Sequence, residues 1–208
     1  ILDLAEKYNT YIIEDDYISD LNYSNQPIIP LKSLDDKDRV IYIKSLSKIL
    51  MPGLRLGFLI LPKTLRKHIL SHKHALDIFA SGFIQRVLDL YLRKELWKTH
   101  IEKICTTYEK RYHSLLNALD IYLKNYISYI PPQGGLSVWI KLNHFISVEK
   151  LCDLLLSKEV ILSPGSLFLT TEDVSSYVRI GFSAVDEYQI EQGIKIMKDV
   201  IDTMLNRD

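Results

Sequence analysis

VIYIKSLSKILMPGLRLGFLIL, residues Val40–Leu61, is the stretch on which the reading of this chain turns. Two apolar, β-like runs, roughly 39–46 and 54–61, flank a turn signal at Met51-Pro52-Gly53. Between them stands Lys48, with Ser45 and Ser47 just before it and Arg55 seven residues after it. A lysine held where a strand ends is poorly solvated, which eases loss of its proton and makes the amine a nucleophile. In a strand, Ser45 and Ser47 project to one face, and the turn returns the backbone so that Arg55 comes near them. Two hydroxyls and a guanidinium suit a phosphate group. The competing reading is a hydrogen-bonded turn, with Lys48 a solvated surface charge and Arg55 paired to an acid.

Upstream, Leu2, Leu4, Ala5 and Tyr8 form the stripe of a helix over 1–10, and residues 11–16 read as a strand ending in Glu14-Asp15-Asp16. This is the second half of a βαβ unit. The chain opens on Ile1 inside that pattern, so a C-terminal piece of a longer protein is expected. Residues 17–38 are loop-like. A carboxylate at a strand's carboxyl end lies where ligands bind in open α/β sheets. Amine, phosphate cradle and carboxylate together suggest pyridoxal 5'-phosphate (PLP) attached to Lys48 as a Schiff base. A carboxylate at this strand end would keep the ring nitrogen protonated, and Tyr17 could offer its phenol to the ring oxygen. The alternatives for residues 14–16 are a metal site or an acidic loop. Three adjacent carboxylates point to different sides, and no His or Cys is close in sequence.

Downstream, Pro62 ends the second strand and suits the first turn of a helix. Helical periodicity then runs from Lys63 to about Leu123, with breaks near Ser81-Gly82 and near Leu96. Short strands are predicted at 127–130, 136–142, 160–162 and 177–182, with helices at about 147–157 and 186–205. The expected organisation is α/β: residues 1–75 as part of a large domain, 76–123 as connecting helices, and 124–208 as a small α+β domain. His68 and His72 share a helix face that could suit a metal, but Arg66, Lys67 and Lys73 beside them favour a solvated basic face, and no metal is expected.

Of the 208 residues 47% are hydrophobic and 25% charged, enough to bury a core. Lys plus Arg and Asp plus Glu are 26 each, which leaves no electrostatic footprint for nucleic acid or an acidic membrane. No long apolar span or signal peptide occurs, so no membrane partner is expected. Cys105 and Cys152 have no metal-type spacing and read as reduced core residues of a cytoplasmic protein.

Ile12–Tyr23, IIEDDYISDLNY, followed by Val40–Phe58, resembles the fold-type I PLP-dependent aminotransferases of class I and II. The wording is most similar to their branch fused to a GntR-type winged helix, the MocR transcription regulators. The resemblance covers nearly the whole chain. It implies the C-terminal part of an aspartate-aminotransferase-like large domain followed by a small α+β domain. It further implies Lys48 as the Schiff-base lysine and Asp15 as partner of the pyridine nitrogen. Tyr17 is then placed on the ring oxygen, and Ser45, Ser47 and Arg55 on the phosphate. Tyr177–Phe182, YVRIGF, resembles the strand whose arginine, here Arg179, clamps a ligand α-carboxylate; the plainer alternative is a surface arginine on an edge strand. Pro132–Trp139 matches the turn and strand that open the family's small domain. Lys44 departs from the pattern, standing where many relatives carry a small residue; in a strand it faces away from Ser45, so little effect on the cofactor is expected. The implied partners are an amino acid or amine, DNA through a winged helix outside this chain, and a second copy in a homodimer. The implied function is an effector domain that senses the amine by forming an aldimine. The alternative is a stand-alone aminotransferase of the 2-aminoadipate type.

Overall fold

The computed structural model describes residues 1–24, 28–76, 79–170 and 175–206, which form two compact units, residues 1–104 and 105–208. In the first, helix α1 (Leu2–Lys7) leads into β1 (Ile12–Asp16), and β2 (Val40–Ser45) and β3 (Gly57–Ile60) complete a sheet of order β1-β2-β3. The β1–β2 pair is parallel, with Asp15 opposite Ile43 and Asp16 opposite Lys44. The β2–β3 pair is antiparallel, with Ser45 opposite Gly57. Side chains alternate along a strand, so this register puts Ile13, Asp15, Ile41, Ile43, Ser45 and Leu59 on one face. Glu14, Asp16, Tyr42, Lys44 and Phe58 share the other.

Two carboxylates tie the long 17–38 connection to the sheet. Glu14 accepts from the amides of Leu31 and Lys32, both at 2.8 Å, at the start of the 3-10 turn Leu31–Leu34. Asp35 accepts from the amides of Arg39 (2.9 Å) and Val40 (2.8 Å), which fixes the start of β2. Burial raises the Asp35 carboxyl, but these amides and Lys32 more than offset it and leave it below the ordinary value.

Helices α2 (Lys63–Leu76), α3 (Gly82–Arg93) and α4 (Leu96–Ala118) follow the breaks read from the sequence. Ser81 caps α3 by accepting from the Ile84 amide, and Glu95, at a φ of 56°, separates α3 from α4. A π turn, Leu119–Leu123, continues α4.

The second unit holds β4 (Ile127–Tyr129), β5 (Ser137–Leu142), β6 (Ser163–Pro164) and β7 (Tyr177–Gly181), in the antiparallel order β4-β5-β7-β6. Gly135, at a φ of 94°, lies in the β4–β5 turn in a conformation that L side chains rarely adopt. Val138, Ile140, Val178 and Ile180 form the buried face of this sheet. The buried stripes of α5 (Val148–Leu156) and α6 (Glu187–Leu205) supply Leu151, Leu155, Ile194, Met197 and Ile201 to the same unit's core. Asp186 and Gln189 form a capping box at the start of α6.

Three sequence expectations change. The strand at 160–162 is displaced to Ser163–Pro164, at the sheet edge where a proline's missing donor is tolerated. Cys105 and Cys152 are not disulfide-bonded and only part-buried, so they are not core residues. The strand before Lys48 ends at Ser45, and residues 46–50 form one helical turn closed by the Leu50 amide on the Leu46 carbonyl.

Gly57 shows how close the β2–β3 approach is, because a Cβ there would lie 2.7 Å from the Lys44 carbonyl oxygen. Gly57→Ala is expected to destabilise the protein by about 1–3 kcal/mol. Gly193, inside α6, meets nothing within 4 Å, and Gly193→Ala should stabilise by about 0.5–1 kcal/mol. Urea denaturation of both variants checks the contrast.

Candidate functional site

The carboxyl ends of β1 and β2 meet at one sheet edge, and Glu14-Asp15-Asp16 is sorted there by alternation. Glu14 is spent on the Leu31 and Lys32 amides. Asp16 is only 9% exposed and accepts four hydrogen bonds. The Ser19 amide donates to Oδ1 at 3.1 Å, and the Ser19 hydroxyl (2.7 Å), Tyr42 phenol (2.6 Å) and Lys44 ammonium (3.1 Å) donate to Oδ2. Burial pushes the Asp16 carboxyl up, but these donors outweigh it and hold its pKa at about 2, against an ordinary 3.8. Burial and the adjacent Asp16 carboxylate raise the Tyr42 phenol, which stays a donor. The Asp15 side chain, on the opposite face, is exposed and makes no hydrogen bond or ion pair among the described residues.

Ser45 is the last residue of β2, and its hydroxyl accepts from the Ser47 amide at 3.3 Å. Ser47 therefore belongs to the turn rather than to the strand, because the helical turn at 46–50 has already bent the backbone. Leu46 and Ile49 are buried and anchor this turn, and the Ile49 carbonyl is 2.7 Å from the His100 imidazole. Between them Lys48 projects outward and is exposed, so the shielding expected of a strand-end lysine is not present here.

The 3-10 turn Pro52–Leu54 reverses the chain, and Arg55 ends it in the left-handed conformation at φ 49°. The Leu46 amide donates to the Leu56 carbonyl, carrying the β2–β3 pairing one residue past the strand. That register brings Arg55 back opposite the Ser47 turn. Tyr17, at the start of the loop after β1, is 46% exposed.

The first unit thus gathers Asp15, Tyr17, Ser45, Ser47, Lys48 and Arg55 at one sheet edge. Arg179 belongs to the second unit, on the exposed face of β7, opposite Trp139 and Ser163. Strand β7 is interior, with β6 outside it, which corrects the edge-strand alternative. The Arg179 guanidinium lies 4.9 Å from the Phe168 ring centroid and donates to the Ser163 hydroxyl at 3.4 Å. The sequence reading missed both partners, since each contact joins residues on separate elements. Lys44 turns away from Ser45, as the alternation implied, and bonds Asp16, Ser19 and Asp20.

Among the described residues no three His, Cys, Asp or Glu side chains group as metal ligands. The His72 ring nitrogen lies 2.8 Å from the His68 carbonyl, a contact within α2. Among the described residues no helix is long and apolar enough to cross a membrane.

At the carboxyl edge of the parallel β1–β2 pair stand an acid, a phenol, two hydroxyls, a guanidinium and an amine. Residues 1–197 match the family model for aminotransferases of class I and II, and the chain belongs to that PLP-dependent family. It is 33% identical over 202 residues to aromatic-amino-acid aminotransferase 1 of Thermococcus litoralis, covering 97% of this chain and 48% of that protein. It is 31% identical to the HTH-type transcriptional regulator YdfD of Bacillus subtilis, covering 93% of this chain and 40% of that one. The solved kynurenine aminotransferase of Pyrococcus horikoshii, in complex with PMP, superposes with a TM-score of 0.91 at 32% identity, over 98% of this chain and 50% of the other. The chain spans about half the length of these relatives, or somewhat less.

The lowered Asp16 value has a pH consequence. A carboxyl whose folded pKa lies below its unfolded one stabilises the fold above the unfolded value and stops doing so as pH falls through the folded value. Asp16→Asn should therefore cost about 1–3 kcal/mol at neutral pH. The gap from the wild type should narrow between the ordinary 3.8 and about 2, as read by urea titrations at several pH values.

Proposed function

We propose that this chain is the aminotransferase-like effector domain of a GntR/MocR-type transcription regulator, or the greater part of that domain, and that it binds PLP and an amine or amino acid. The observation that carries the reading is the sorting of the three acids. Asp15 alone of them faces the side that bears Ser45, at the sheet edge shared with Ser47, Lys48 and Arg55.

The donor set fits the cofactor group by group. Ser45, Ser47 and Arg55 match a phosphate dianion, which takes hydroxyl donors and a bidentate guanidinium. The Lys48 amine is the point of covalent attachment. Asp15 holds the proton on the ring nitrogen, and Tyr17 donates its phenol hydrogen to the ring oxygen. When bound, the cofactor supplies an electron sink for the ligand's Cα. Arg179 is the group we assign to the ligand's α-carboxylate.

The wording EDDYISDLNY and the regulators YdfD and YhdI, each 31% identical to this chain, support the regulator reading. In it, ligand binding changes the pose of an attached winged helix, and the protein works as a cytoplasmic homodimer. The 33% identity to an aromatic-amino-acid aminotransferase supports a second reading, a stand-alone enzyme in which the freed Lys48 amine takes the Cα proton. The coding sequence upstream of Ile1 separates them. A winged helix of about seventy residues with a linker, the size of a small domain, supports the regulator. An upstream segment that is aminotransferase throughout overturns it.

In the full-length gene product, Lys48→Ala should abolish the visible absorbance of attached cofactor; an unchanged spectrum overturns the Lys48 assignment. Arg179→Ala should weaken amino-acid binding roughly ten- to a hundredfold, the loss expected for hydrogen bonds to a charged group. Cofactor affinity should stay nearly constant, as measured by spectral titration.

A further inference from the structure

We infer that Lys44 and Asp16 are a positioning pair. From the sheet face opposite Asp15 they fix the turn that carries Tyr17, and so set where its phenol meets the cofactor. The inference rests on the roles given above to Lys48 and Tyr17.

Asp16 lies between Asp15 and Tyr17 in sequence, so its Cα is about 3.8 Å from each of theirs. Any torsion that its side chain restrains is shared with both neighbours. Two donors to its carboxylate come from Ser19, three residues on, and close the turn at 17–19. The other two, Tyr42 and Lys44, come from β2 and tie that turn to the neighbouring strand.

Lys44 reaches further. Its ammonium donates to Asp16, to the Ser19 hydroxyl at 3.1 Å and to Asp20. Its side chain is 15% exposed, against 8% for Asp16 and 27% for Asp20, so the pairs are partly shielded from water. The Leu21 amide closes a turn on the Ile18 carbonyl at 2.9 Å, and Leu21 itself is buried. Residues 16–21 are therefore held at both ends and in the middle, while the Tyr17 side chain stays exposed. Tyr17 owes its place to partners on the far side of the sheet.

Removing the ammonium leaves Asp16 and Asp20 as two carboxylates with no cation between them. Glu14, on the same face and bonded to the Leu31 and Lys32 amides, is a further carboxylate and supplies no replacement charge. Tyr42 and Ser19 still satisfy Asp16, so what is lost is the tie from β2 to Ser19 and Asp20, and the turn loosens there. Lys44 touches none of the proposed cofactor-binding groups and is a positioning residue.

The test uses the full-length protein as wild type, Lys44→Met, Lys44→Arg, Asp20→Asn and Tyr17→Phe, with two readouts. The first is amide hydrogen exchange at 17–21 without cofactor. Lys44→Met should raise it by about tenfold or more, with 57–60 unchanged, as expected of a local opening. The second is the pH midpoint of the visible absorbance of cofactor attached to Lys48. A donor to an anionic ring oxygen favours the deprotonated form, so Tyr17→Phe raises the midpoint. Lys44→Met should raise it too, by about one pH unit, with little further change when Tyr17→Phe is added.

Lys44→Arg, which keeps the charge, should restore both values. Asp20→Asn, the milder variant if Lys44→Met does not fold, should move both in the same direction by less. An unmoved midpoint in Lys44→Met, or in Asp20→Asn where that variant stands in for it, overturns the inference, as do fully additive shifts with Tyr17→Phe. A visible band that survives Lys48→Ala overturns the cofactor assignment itself, a result distinct from any that the Lys44 variants can give.

Discussion

The register between β1 and β2 is the constraint on which the site depends. Side-chain period in a strand is two, so a slip of one residue would turn every side chain to the other face. Asp16 and Lys44 would then lose their pairing, and Asp15 would point away from the side on which Ser45 projects. The observed register, Asp15 opposite Ile43 and Asp16 opposite Lys44, keeps both arrangements at once. Hydrophobic patterning alone does not enforce it. Ile13, Ile41 and Ile43 lie on one face and Ile12 and Val40 on the other, so apolar residues fall on both sides of the sheet in either register. Polar pairing distinguishes the two where apolar burial does not.

That distinction explains a largely shielded charge pair in a small sheet. Taking Asp16 and Lys44 out of water costs several kcal/mol per ion, and an isosteric apolar pair is often as stable or more so. The Asp16 carboxylate recovers much of that cost through four donors, and Lys44 through Asp16, Asp20 and Ser19. What an apolar pair could not supply is direction. The Ser19 amide and hydroxyl can reach Asp16 only when the chain turns sharply after β1, and that turn begins at Tyr17. The β2–β3 edge uses a different device, the close approach at Gly57, to return Arg55 toward the Ser47 turn.

Much of this was legible in the sequence because it is local. The turn signal at Pro52-Gly53, the helix breaks near Gly82 and Leu96 and the alternation in β5 and β7 each reflect forces acting within a few residues. The family wording points to Lys48, Asp15, Tyr17 and Arg55 from their spacing alone. The division of labour among Glu14, Asp15 and Asp16 was not legible, because it depends on partners at Leu31, Lys32, Tyr42 and Lys44, far along the chain. The strand expected at 160–162 failed for a related reason. Val160-Ile161-Leu162 has high strand propensity, yet pairing with β7 starts only at Ser163, and tertiary pairing overrides propensity.

Arg179 shows the same logic in the second unit. Its strand alternates buried and exposed residues without exception, so Val178 and Ile180 enter the core while Arg179 is turned outward. Exposure alone leaves a long guanidinium side chain many rotamers, and ordering one costs up to about 2 kcal/mol. Phe168 and Ser163 reduce that freedom beforehand, one against the guanidinium and one as its acceptor. Trp139 packs edge-on against Phe168, with ring centroids 5.4 Å apart, and stacks on Tyr177 at 5.6 Å. The aromatic residues thus hold one another as well as the arginine. An arginine arranged in this way meets a carboxylate with less entropy left to lose, which favours a binding role over that of a solvated surface charge.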